Sequence, residues 1–331
     1  MTRREFLQVA MAAGAAPGPS STPNRAAIPR RRLGTTGETV SAIGLGGYHV
    51  GVQHDERESV RIVRGAIDAG ITFLDNCWDY NDGQSELRMG KALAGGYRDR
   101  AFLMTKVDGR DRATAARQID ESLRRLRTDR IDLLQLHEVI YPQDPDRAFA
   151  PGGAIEALVA ARDAGKIRFI GFTGHKSPDL HLAMLRAAER HRFAFDTVQM
   201  PLNVLDAHHD SFEERVLPVL VGKGTGVLGM KPMADGLILE SGAASAVECL
   251  RYAMSVPGVS VTITGIDSLQ VLEQAVRVAR GFQPMSAADR STLLARTATA
   301  ARGGRWEKYK TGEEFDGTRQ NPEWLGTTAT R

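Results

Sequence analysis

The chain has 331 residues, 42% hydrophobic and 25% charged, with 34 Gly and 14 Pro but no low-complexity tract; this excludes wholesale disorder and collagen-like structure and fits two ordinary domains or one barrel-sized domain. No run of about 18 apolar residues occurs, so no bilayer-spanning helix is expected. Lys plus Arg exceeds Asp plus Glu by 43 − 40 = +3, and six Arg against one Glu in the first 32 residues carry +5, which leaves the remainder at −2, without the basic face that nucleic-acid binding needs.

The first residues, Thr2-Arg3-Arg4-Glu5-Phe6-Leu7, precede an Ala/Gly-rich run from Val9 to Ala16. This resembles a twin-arginine export leader, which implies the export machinery as a partner and a periplasmic or otherwise exported protein. The alternative is a frayed tail on a cytoplasmic protein. Residues 17–30, rich in Pro, Ser, Ala and Arg, read as linker. Residues 1–30 are thus set apart from a domain over 31–331.

Residues 32–40, with Gly34 and Gly37, predict a hairpin. From position 41 a short β-rich run followed by a helix-period run recurs eight times. The strand candidates are 41–47, 72–80, 101–107, 131–139, 167–175, 195–203, 226–232 and 258–267. The helices that follow them span 56–70, 85–95, 113–127, 153–166, 177–191, 209–224, 243–255 and 268–280. Apolar residues such as Val60, Ile62, Val63, Ala66 and Ile67 recur at three- and four-residue spacing, giving one buried stripe per helix. Near-continuous apolar strands such as 131–136 suit a sheet covered on both faces. Eight right-handed βα units predict a closed (β/α)8 TIM barrel, in the α/β class, with an N-terminal hairpin and a C-terminal helix (286–301) and tail (302–331). An open doubly wound sheet is the rival; Gly44-Leu45-Gly46-Gly47 lacks its G-x-G-x-x-G spacing. Cys77 and Cys249 are expected to be free, buried thiols.

In a TIM barrel, reactive groups sit where strands end. Those positions hold Asp75 and Tyr80, Lys106, His137, and Thr173 to His175. An acid, a phenol, an amine and an imidazole at one mouth make a proton-transfer device. Lys106 is expected to lower the Tyr80 phenol, Asp75 to pair with Lys106, and His137 to orient a substrate oxygen or share the proton.

Asp75 and Tyr80 five apart, Lys106 between Thr105 and Val107, and His137 closing Leu134-Gln135-Leu136-His137 resemble the tetrad of the aldo-keto reductases. Further matching segments are 32–37, 83–86, 165–171, 198–203 and 226–232, so the resemblance spans about residues 32–282. It implies NAD(P)-dependent interconversion of a carbonyl (aldehyde, ketone or sugar) and its alcohol, with Tyr80 as proton donor. It also implies a cofactor site of Gly47, Tyr48, Asp75, Thr173, Gly174, Gln199, Met230, Lys231, Pro232, Ser268 and Gln274. Gly174 departs from the family's asparagine, and Met230 from an aromatic. The resemblance implies NADP by default, but the segment to Gln274 lacks the Arg or Lys that a 2′-phosphate wants, so NAD stays open beside it. Trp78 and His175 are substrate candidates, with the 140–152 loop and the tail aromatics Trp306, Tyr309 and Trp324 shaping the pocket or anchoring the tail. Two other readings compete. One is a metal-dependent barrel hydrolase or isomerase using Asp75, Asp79, His137 and His175, although no H-x-H or H-E-x-x-H pair is present and no metal site is expected. The other is a slow nicotinamide-binding redox sensor subunit.

Overall fold

A computed structural model describes residues 27–326; the leader motif lies outside them. The first two strands, β1 (Arg30–Arg32) and β2 (Thr39–Ser41), form the antiparallel hairpin. Eight more strands follow: β3 (Ile43–Gly46), β4 (Phe73–Leu74), β5 (Phe102–Val107), β6 (Ile131–Leu136), β7 (Ile167–Thr173), β8 (Thr197–Pro201), β9 (Gly226–Met230) and β10 (Val259–Gly265). They pair in parallel in chain order, and β10 closes on β3. The closed ring rules out the doubly wound sheet.

The outer ring matches the helical periodicity: Glu56–Ala69, Gln84–Leu93, Arg112–Leu126, Ala154–Asp163, Pro178–Arg190, Ala246–Ser255 and Leu269–Arg280 each lie within two or three residues of the predicted bounds. The predicted helix 209–224 is split into Phe212–Arg215 and Leu217–Lys223. Pro218 has no N–H and belongs in a first turn, so the chain restarts the helix there. The C-terminal helix spans Ala287–Thr297, capped by Ser286. The tail is less irregular than expected, with short helical turns at Lys308–Thr311, Gly317–Gln320 and Pro322–Leu325.

Period-two alternation sorts each strand into an outward apolar set, packed under the helices, and an inward set. At the lower end the inward set is greasy: Phe73, Phe102, Met104, Leu133, Leu228, Val261 and Ile263 form a separate core cluster with Leu33 and Val40 of the hairpin. The hairpin therefore plugs the barrel. Gly34 (φ 53°) makes this approach possible, since a Cβ there would sit 2.4 Å from Gly226 N and 2.6 Å from Gly224 O. Truncating the plug, Leu33→Ala, removes a fully buried side chain and is expected to cost about 2–5 kcal/mol in urea unfolding. The folded fraction should keep its activity, because the plug lies at the end opposite the polar mouth.

Candidate active site

Continuing the inward rows upward turns the lining polar. The row Phe73, Asp75 lies beside Phe102, Met104, Lys106, Asp108, then Leu133, Gln135, His137, and then Gly171, Thr173 beside Thr197, Gln199. Asp75, Asp108 and His137 continue these rows just beyond the ends of their strands. β4 is only two residues long, because the chain after Leu74 leaves the ladder and turns back through left-handed Asn81, Asp82 and Gly83 into the next helix. That turn delivers Tyr80 to the mouth.

Lys106 is 1% exposed and Asp75 4%. The ammonium donates to Asp75 Oδ1 (2.5 Å), the Asn76 carbonyl (2.7 Å) and Tyr80 Oη (3.2 Å). The Tyr80 ring stands edge-on to His137, with centroids 5.9 Å apart, and edge-on to Tyr48 at 5.6 Å. The four predicted groups thus meet at one point. The expected lowering of the phenol does not occur in this resting geometry. Burial, and then the acidic groups of Asp75, Cys77, Asp79 and Asp108, hold Tyr80 well above its ordinary value. Lys106 is largely neutralised by Asp75, whose own carboxyl is pushed up by burial against the pull of Lys106, His137 and Gln199. Burial lowers His137, keeping it neutral.

Arg110, fully buried, donates to the carbonyls of His137 (2.9 Å) and Glu138 (3.0 Å), and pairs with buried Asp144. This clamp fixes the backbone under the imidazole. Glu138 adopts φ 54°, and its carboxylate accepts from the backbone N–H groups of Gly317 (2.7 Å) and Thr318 (2.6 Å). The tail is drawn over the mouth by such contacts: Asp316 takes His175 Nε2 (3.2 Å) and Lys176 Nζ (2.8 Å), and Lys231 Nζ lies over the Tyr309 and Phe315 rings. His175, a substrate candidate from sequence, is committed to the tail. Trp78 is committed similarly, with Nε1 donating to Glu121 (2.7 Å) and its ring edge-on to Trp324. Tyr309 is buried, bonded to Asn203 and Glu307, so it anchors the tail. The metal-ligand set Asp75, Asp79, His137, His175 is not assembled, because Asp75 is spent on Lys106 and His175 on Asp316. Cys77 and Cys249 are free and buried.

The cofactor candidates fall in several places. Thr173 and Gln199 are register partners on β7 and β8, both buried, and Thr173 Oγ1 and Gln199 Oε1 lack hydrogen-bond partners among the described residues. Two orphaned polar atoms side by side fit an amide such as a nicotinamide carboxamide. Gly174 offers only backbone, since a Cβ would lie 2.5 Å from the Val139 carbonyl oxygen. Gly47 is buried against the Asp75 carbonyl, while Tyr48 is exposed and opens the short helix Tyr48–Gly51. Met230 and Lys231 are half-buried and Pro232 buried at the end of β9. Ser268 caps the helix Leu269–Arg280, its Oγ accepting from Val271 N (3.2 Å), and Gln274 is half-buried on that helix.

Residues 42–248 match the family model described as the Aldo/keto reductase family. The chain belongs to the aldo/keto reductase family. It is an oxidoreductase with the family's closed (β/α)8 barrel. It is 32% identical to an uncharacterized oxidoreductase of Bacillus subtilis over 226 residues, covering 62% of this chain and 67% of that protein. It is 33% identical to the L-galactose dehydrogenase of Arabidopsis thaliana over 227 residues, covering 65% and 68%. The solved holo form of an aldo-keto reductase from Bacillus halodurans superimposes with a TM-score of 0.68 over 85% of this chain and 99% of that one, at 24% identity.

Two further groups, outside the set predicted from strand ends, lie near the tetrad. Asp108 and Arg110 lie just beyond β5; Asp108 is two residues after Lys106, on the same inward row, and that spacing is the signal that marks it.

Proposed function

We propose that this aldo/keto reductase interconverts a small carbonyl compound and its alcohol, with Tyr80 as proton donor in reduction. The observation that carries the reading is Tyr80 Oη at 3.2 Å from a buried ammonium, with the phenol ring edge-on to His137, in the barrel whose β7 and β8 carry the orphaned Thr173 and Gln199. Those two, with Gly47, Tyr48 and Met230 around the mouth, would hold a nicotinamide, which supplies the hydride when bound. The chain's own groups do the rest. Burial keeps the Tyr80 phenol protonated until negative charge builds on the carbonyl oxygen, and the phenol then gives up its proton there. Lys106 stabilises the phenolate left behind, Asp75 fixes Lys106, and His137 orients the oxygen. Solvent reprotonates the phenolate.

Residues 265–274 hold no Arg or Lys, so this segment offers a 2′-phosphate no charge partner. NADH is therefore expected to bind no more weakly than NADPH. Fluorescence titration of the protein with both, followed by turnover of a panel of aldehydes, ketones and sugars, tests the reading. Sugars belong in the panel because one relative is a galactose dehydrogenase. Failure to bind either dinucleotide rejects the proposal. The Arg3-Arg4 leader adds export of the folded protein with its dinucleotide already loaded. Replacing both arginines by lysine should leave the protein in the cytoplasmic fraction.

A further inference from the structure

Three polar side chains surround one nitrogen of His137. Nδ1 lies 2.8 Å from Asp108 Oδ1, 3.2 Å from Cys77 Sγ and 3.7 Å from Asp79 Oδ1, and the ligand atoms of all four residues lie within 4.8 Å of one another. Asp108 is fully buried and the Asp79 side chain 90% so. Asp79 Oδ1 and Asp108 Oδ2 have no hydrogen-bond partner among the described residues. Two ionised carboxylates in so dry a space repel strongly, so the arrangement favours holding a proton. Burial pushes Asp108 up to about 7 against the pull of Arg110 and Lys106. Burial, and then the charge of Asp108, pushes Asp79 up to about 6. The Cys77 thiol is driven well above its usual range and stays protonated.

We propose that Asp108, with Asp79 beside it, is a positioning residue that sets which ring nitrogen of His137 carries the proton, and with it whether the imidazole donates to a carbonyl or accepts from an alcohol. The proposal rests on the reading of His137 as the residue that meets the substrate oxygen. A neutral imidazole has one N–H and one lone pair. With Asp108 protonated, its O–H donates to Nδ1, and Nε2 keeps the N–H that a carbonyl oxygen accepts. On ionisation, the carboxyl proton moves to Nδ1 and the Nε2 proton leaves to solvent, a net loss of one proton. Nε2 then presents a lone pair to an alcohol O–H. The acid state, below about 6 to 7, serves reduction; the basic state serves oxidation.

Asp75 and Tyr80, from the chain after β4, face this switch, Tyr80 with its ring edge-on to the imidazole. Lys106 and Arg110 come from the end of β5, Cys77 and Asp79 from the loop after β4, and Glu138 from the loop after β6. Gln118, from the helix Arg112–Leu126, accepts from the backbone N–H groups of Asp108 and Gly109 through Oε1.

The test is a ¹⁵N NMR titration of histidine-labelled protein from pH 5.5 to 8.5, with His137 assigned by His137→Gln. In the parent, the protonated nitrogen is expected to exchange from Nε2 to Nδ1 with a midpoint between about 6 and 7. In Asp108→Asn, the exchange should vanish from that interval, along with the corresponding break in kcat/KM for alcohol oxidation. One unchanging tautomer in the parent overturns the proposal, and needs no variant to fold. Persistence of the parent's exchange in folded Asp108→Asn and Asp79→Asn also overturns it. So does a stoichiometric metal in the purified protein that is lost in Cys77→Ser, because the metal would occupy Nδ1. If no carbonyl is turned over by the parent, the proposed function fails, and the titration still decides the tautomer.

Discussion

Tyr80→Phe is expected to lower kcat/KM for carbonyl reduction by roughly 100- to 10,000-fold, the span a well-placed general acid contributes. The change removes one oxygen and little else. The ring keeps its edge contacts with Tyr48 and His137, and Lys106 keeps Asp75 and the Asn76 carbonyl as acceptors. Dinucleotide affinity should therefore stay within about twofold, since the lost interaction belongs to the transferred proton and not to ground-state binding. Steady-state kinetics, fluorescence titration and thermal melting on one preparation check this. Parent-like turnover removes Tyr80 from the mechanism. A joint loss of turnover, affinity and melting temperature would make the phenol a structural group. Because burial and four acidic neighbours hold the phenol above its ordinary value, no loss of the acid form is expected as pH rises from 6 to 9. Any break in the reduction profile there belongs to another group.

The barrel was legible because its cause is local. A strand such as Ile131–Leu136 and a helix such as Glu56–Ala69 carry their period in consecutive residues, and eight repeats leave little topological freedom. Asp75, Lys106 and His137 could be placed for the same reason, since they continue inward rows at or just past strand ends. What escaped the reading depends on sums over space. The phenol of Tyr80 was expected to fall under the influence of one ammonium, but its environment includes Cys77, Asp79 and Asp108 from two loops. His175 and Trp78 looked free at the mouth, yet each meets a tail residue far away in sequence, Asp316 and Trp324. No periodicity announces such pairs. Over 209–224 the apolar period runs on through Pro218 while the helix does not, because the proline ring can only sit in a first turn.

Lys106→Met should separate the two roles of the buried amine. Removing the ammonium leaves Asp75, 4% exposed, without its countercharge, and breaking one side of a buried pair costs about 3–5 kcal/mol. The pH dependence gives the cause away. Without Lys106, burial alone raises the Asp75 carboxyl in the folded state above its unfolded value. The folded variant then binds the proton more tightly, its stability deficit is smallest below the unfolded carboxylate pKa of about 3.9, and the deficit grows as pH rises through the folded one. Adding Asp75→Asn removes the stranded charge, so the double variant should regain most of the lost stability in urea titrations, as neutral replacements of buried ion pairs generally do. Turnover should not return, because the phenolate left at Tyr80 would still lack a cation at 3.2 Å. Stability and activity thus part company in the double variant. A double variant as unstable as Lys106→Met would trace the loss to packing, and one that turns over like the parent would show that the phenol gives up its proton without help from the amine.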